Sequence, residues 1–139
     1  MNRNENLINA SKKHIWYPFT QMQEFLSEQP IIIEKGEGNY LIDIDGNRYL
    51  DGVSSIWTNV HGHNKKELND AIIEQTKKIS HSTLLGLSNV AAIECAEALA
   101  KITPKGLNRV FFSDSGSTSM EIALKIAYQY FQQNGQSRK

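Results

Sequence analysis

Residues 107–134 constrain the fold of this chain more than any other stretch. Val110, Phe111 and Phe112 form a short apolar, β-favouring run, and Ser113-Asp114-Ser115-Gly116-Ser117 supplies turn chemistry. Thr118 with Glu121 has the form of a capping box, and Met120, Ala123, Leu124, Ala127 and Phe131 then recur at helical spacing. Asn134-Gly135 supplies a stop. The pattern predicts a buried strand, a tight turn and a helix, the building unit of an α/β protein. Amides at a helix N-terminus point outward at the positive end of the helix dipole, so such a turn can hold a phosphate. Gly116 would let the backbone approach closely, with the hydroxyls of Ser115, Ser117 and Thr118 as further donors. The same turn also occurs as plain connection, and local chemistry leaves both readings open. No Gly-Lys-Ser/Thr closes the turn and no Gly-x-Gly-x-x-Gly is present, which excludes the two best-known nucleotide fingerprints.

Upstream, His14-Ile15-Trp16-Tyr17-Pro18-Phe19-Thr20-Gln21-Met22 is an aromatic arm broken by a proline. Its rings either dock on protein surface or line a pocket, and docking is the favoured expectation. Residues 31–33, 40–44 and 48–50 read as three antiparallel strands. Lys35-Gly36-Glu37-Gly38 and Asp45-Gly46 supply the turns between them. A Gly-, Ser-, Asn- and His-rich loop with Ile56 and Trp57 embedded follows, a plausible pocket wall. His61 and His63 lack further ligands at metal-binding spacing, so hydrogen bonding is their expected role. Two amphipathic helices come next. One starts from a capping box at Asn64 with Leu68, Ala71, Ile72 and Ile79 on one face. The other covers about residues 89–102, with Ala92, Ile93, Ala96, Leu99 and Ala100 inward and Cys95 packed. Residues 1–13 are a frayed segment or a short helix.

Fifteen basic and fifteen acidic residues cancel in this 139-residue chain, which leaves no electrostatic footprint for nucleic acid or an anionic membrane. No apolar run approaches membrane-spanning length. A single cysteine excludes an internal disulfide and suits a cytoplasmic setting. One core strand cannot make a sheet, so the pattern reads as the front part of something longer.

Three stretches carry a family resemblance: residues 14–22, residues 51–63 and residues 112–125. Together they resemble the class III pyridoxal-phosphate aminotransferases, and within them the 8-amino-7-oxononanoate aminotransferases of biotin synthesis. The resemblance implies the N-terminal part of an α/β, fold-type-I transferase. Residues 1–62 would be an arm and small-domain β segment, and residues 63–139 the start of a large cofactor domain. It implies pyridoxal 5'-phosphate as cofactor, with Gly116 and Ser117 at its phosphate, and Phe19, Ile56 and Trp57 against substrate. It implies small-molecule substrates, a homodimer, and ping-pong transfer of an amino group to 8-amino-7-oxononanoate. Members that use S-adenosylmethionine resemble Trp-Trp where this chain has Ile56-Trp57, and Tyr where it has Phe19. Those departures favour lysine as amino donor. The family's Schiff-base lysine has no counterpart here, since Lys125 falls inside the helix after the turn; the 139 residues alone are expected to be inactive. Another class III aminotransferase of ω-amino acid or ornithine type, or a non-catalytic fragment, are the competing readings.

Overall fold

A computed structural model describes residues 2–135, which fall into two compact units, Met1–Ser80 and His81–Lys139. His63 is tied back to the sheet of the first unit.

The first unit opens with helix α1 (Arg3–His14), capped reciprocally by Asn2 and Glu5. Arg3 reaches Glu34 at 2.6 Å, and the Asn4 amide donates to the Ile44 carbonyl at 3.1 Å and to Asp45 Oδ1 at 2.9 Å. These bonds clip α1 to a three-stranded antiparallel sheet of order β1-β2-β3: β1 (Ile33–Glu37), β2 (Tyr40–Asp43) and β3 (Arg48–Leu50). The first strand runs two residues past Lys35, through the segment expected to turn; Gly38, at φ 56°, carries the reversal instead. Between β2 and β3, the Asp43 carboxylate accepts from the backbone N–H groups of Asp45 and Asn47, the Asn47 amide and the Tyr49 hydroxyl. Such a cluster of donors holds the carboxyl below its ordinary value, the Asn47 side chain contributing most. Ile42 is the one buried large apolar side chain among the described residues.

The aromatic arm divides. Tyr17 docks, its hydroxyl 2.6 Å from Ser11 Oγ and its ring 4.6 Å from that of Phe25 on α2 (Met22–Ser27). Trp16 and Phe19 are exposed and do not dock on the first unit.

After the loop that holds Ile56 and Trp57, helix α4 (Lys66–Lys78) completes the first unit. Its expected capping box is not formed. Lys65 takes the cap position without a side-chain bond, and Asn64 instead donates to the Gly36 carbonyl.

The second unit contains α5 (Val90–Ile102), capped by Asn89, and α6 (Gly116–Gln133). Residues 107–113 form no strand, contrary to the sequence pattern; a strand exists only by pairing, and no described residue of this unit offers a ladder. The helix faces read as inward are likewise uncovered. Ile93, Met120, Leu124 and Phe131 are exposed, as are Leu68 and Ile72 in the first unit, and Cys95 is an exposed thiol rather than a packed one.

Candidate functional site

Two elements carry the candidate residues, one in each unit. The first is a backbone anomaly. Ser54, Ser55, Ile56 and Trp57 all have positive φ, at 50°, 47°, 61° and 66°. Together they form a left-handed helical turn, α3 (Ser54–Trp57), closed by Trp57 N–H to the Val53 carbonyl at 2.8 Å and Thr58 N–H to the Ser54 carbonyl at 3.0 Å. Left-handed helix costs L-residues roughly 1–2 kcal/mol per residue, and β-branched Ile56 is among the least suited to it. Strain of this kind persists only where surrounding structure fixes it, and it concentrates at functional sites. Ile56 and Trp57 stand on this turn with 71% and 84% of their surfaces exposed, presented rather than packed. Phe19, in a separate loop, shares both traits, with φ 51° and full exposure.

What fixes the turn is Asp51. Its Oδ1 accepts from the Ser55 N–H at 2.9 Å, and its Oδ2 from the Ser55 hydroxyl at 2.8 Å. His63 Nε2 lies 2.8 Å from the same Oδ2. The Asp51 and His63 side chains are only 5% and 14% exposed. The Ser55 bonds, then that to His63, hold the Asp51 carboxyl below its ordinary value. His63 is seated in turn by its own N–H on the Gly38 carbonyl at 2.7 Å. Its ring lies so close to Gly36 that a Cβ there would stand 2.6 Å from His63 Cβ and Cγ. Asp51, Ser55 and the packing glycine were not legible as site residues. The available signal was an acidic residue opening a Ser-rich loop that closes on histidine. No group of three or more metal-binding side chains forms among the described residues, and His63 takes the hydrogen-bonding role expected of it.

The second element is the N-terminus of α6. Ser115, not Thr118, is the cap: its hydroxyl accepts from the Thr118 N–H at 3.2 Å, and the Thr118 hydroxyl accepts from the Ser115 N–H at 3.0 Å. The helix therefore starts earlier than expected, because Ser115 supplies the acceptor while Glu121 pairs with Lys125 instead. The Thr118 hydroxyl also donates to Asp114 Oδ1 at 2.7 Å, which keeps that carboxyl below its ordinary value. Gly116 and Ser117 thus occupy the first two helical positions, where no intrahelical acceptor exists for their N–H groups. Both residues are exposed, no acidic residue lies in the first turn, and a Cβ on Gly116 would meet nothing within 4 Å. Free amides, a serine hydroxyl and open space suit a phosphate. Beside them Phe111, Ser113, Ser119, Ile122, Ala123 and Ile126 line an open groove of about 190 Å³.

Comparison with known proteins assigns the chain to a family. The family described as Aminotransferase class-III matches residues 23–139. The chain belongs to the class III aminotransferases. Adenosylmethionine-8-amino-7-oxononanoate aminotransferase of Staphylococcus aureus is 56% identical over 131 residues, covering 94% of this chain and 29% of that protein. The crystal structure of the same-named protein from Methanocaldococcus jannaschii superposes with a TM-score of 0.90 at 53% identity, covering 94% of this chain and 30% of the other. A PMP-bound aminotransferase from Vibrio fluvialis superposes with a TM-score of 0.82 at 28% identity, covering 90% and 28%. This class III aminotransferase chain spans about 30% of the length of these relatives. Its fold is that of the N-terminal part of a fold-type-I pyridoxal-phosphate-dependent transferase, the class expected from sequence.

Proposed function

We propose that this chain is the substrate-wall and cofactor-phosphate segment of an enzyme that aminates 8-amino-7-oxononanoate in biotin synthesis. The observation that carries the proposal is the open N-terminus of α6, where the Gly116 and Ser117 amides lack partners in a family defined by a phosphorylated cofactor. Gly116 and Ser117 would hold the phosphate of pyridoxal 5'-phosphate, through two backbone N–H donors and the Ser117 hydroxyl. When bound, that cofactor supplies an electron sink for transfer of an amino group. Phe19, Ile56 and Trp57 present exposed apolar surface to a substrate whose length is mostly methylene, and so exclude water along it. The complete enzyme would be a cytoplasmic homodimer. Its division at 62/63 would separate a small-domain segment from the start of the large domain. The lysine that carries the cofactor would lie outside these 139 residues, since Lys125 sits inside α6 after the phosphate turn. Among the described residues no helix is long and apolar enough to cross a membrane.

Lysine is the favoured donor: Phe19 and Ile56 offer neither a phenol hydroxyl nor a second indole to a sulfonium bearing an adenine. The name of the Staphylococcus aureus relative supports adenosylmethionine as the second reading. A complete enzyme carrying this chain, assayed with each donor against 8-amino-7-oxononanoate, decides. Turnover with lysine alone is expected. Turnover with adenosylmethionine alone removes the donor assignment, and turnover with neither removes the substrate.

A further inference from the structure

The left-handed turn presents Ile56 and Trp57, yet nothing in their own side chains keeps it left-handed. Neither is packed, and no glycine relieves the backbone. The restraint comes from outside, along one continuous path within the first unit. Gly36 leaves room for the His63 ring, the Gly38 carbonyl takes the His63 N–H, and His63 Nε2 meets Asp51 Oδ2. Asp51 then grips both the backbone N–H and the hydroxyl of Ser55, the residue just ahead of Ile56. The main chain of Asp51 is itself pinned, its N–H donating to the Asn39 carbonyl at 2.9 Å and its carbonyl accepting from Ser54 N–H at 3.2 Å.

We infer that Asp51 is a positioning residue for substrate specificity: held by His63, its carboxylate locks Ser55 and thereby aims Ile56 and Trp57 as a rigid wall. The inference rests on the assignment of those two side chains to the substrate site and adds the device that orients them. A flexible wall would have to be ordered each time substrate bound, whereas a strained turn held in place beforehand meets that cost on folding. The alternative, that Asp51 merely stabilises a loop, makes no demand on Trp57.

The test separates the two. In the full chain with Trp16→Phe, Trp57 is the sole tryptophan and can carry a fluorine label. The parent is expected to give one narrow fluorine resonance. Asp51→Ala should broaden or split it with the far-ultraviolet circular dichroism retained. Should Asp51→Ala fail to fold, Ser55→Ala, which deletes one hydroxyl from an exposed side chain, decides by the same readout. An unaltered Trp57 line in the folded variants overturns the positioning role. In the complete enzyme, Asp51→Ala should raise KM for the keto substrate about tenfold with much less effect on kcat. A disturbed Trp57 line with unchanged KM overturns the wall assignment and the specificity role that rests on it, but leaves the turn's restraint standing.

Discussion

The two units handle their chemistry in opposite ways. In Met1–Ser80 the decisive groups are polar and mutually satisfied: Asp43 collects four donors around one hairpin, and Asp51 collects three around the left-handed turn. In His81–Lys139 polar bonding gathers at the helix caps, and apolar faces lie open as on α4, with Met120, Leu124 and Ile102 each more than 60% exposed. Hydrogen bonds are short-range and can be completed inside one loop, whereas an apolar face is stabilised only by a second surface large enough to cover it. The first unit therefore carries its own restraint on functional geometry. In the second, the helix N-terminus is set locally by Ser115 and Thr118, while the burial its helices are patterned for involves further surface.

Acid should break this contrast most visibly. The Asp43 and Asp51 carboxyls have pKa values below the ordinary 3.8, so their ionised forms are favoured by the fold. That contribution is complete above pH 3.8 and disappears as pH falls through the lower folded values. The Asn47 and Ser55 backbone amides should then lose protection from hydrogen exchange together, ahead of the α5 backbone. Asp43→Asn and Asp51→Asn should each remove the acid step from their own loop. Equal acid sensitivity in α5 would show that carboxylate bonds are not what distinguishes the units.

A pair of glycines sharpens the same point. Gly36→Ala drives a methyl into the His63 ring and should cost about 1–3 kcal/mol, seen as a lower denaturant midpoint for the first unit. Gly116→Ala meets open space in α6 and should leave stability unchanged or raise it by up to about 1 kcal/mol. In the complete enzyme the same alanine is expected to weaken cofactor retention, by keeping the phosphate away from the amides.

Which features were legible in the sequence follows from the range of the interactions that make them. Helices α4, α5 and α6 are legible from apolar period, and Asp45-Gly46 marks the second hairpin, because these signals lie within a few residues of one another. The cap of α6 was misplaced by one turn since Ser115 and Thr118 both suit the position; only geometry shows which hydroxyl reaches the free amide. The strand expected at residues 110–112 is absent, since an apolar Val-Phe-Phe run states a capacity for pairing and not a partner. The left-handed turn was invisible. Ser-Ser-Ile-Trp has no propensity for positive φ, and the cause lies twelve residues apart in sequence, between Asp51 and His63. Local chemistry leaves Gly116 and Ser117 as one of two readings of their turn and makes Ile56 and Trp57 a plausible pocket wall; the family resemblance supplies the specific roles, and that of Phe19.

The caps test the claim that the second unit is ordered locally. Ser115→Ala removes the acceptor for the Thr118 N–H and should cost about 1 kcal/mol, read as reduced helicity of α6 by circular dichroism. An effect as large as that of Gly36→Ala would mean that Ser115 has partners other than its own helix.

The smallest effect is expected where sequence patterning points to a core. Leu124 stands at a helical-period apolar position of α6, and a buried leucine there would lose about 2–5 kcal/mol on truncation to alanine. In this chain Leu124 is 67% exposed, so Leu124→Ala should change stability by less than about 0.5 kcal/mol. What should change is adhesion: an exposed apolar stripe binds hydrophobic dye, and Leu124→Ser should lower that binding while the melting curve stays in place. A cost of several kcal/mol from the alanine variant would mean that α6 is already covered in solution, and the difference between the two units would dissolve. A small cost in this chain with a large one in the complete enzyme would instead locate the missing surface, because the same side chain would be counted once in water and once in a core.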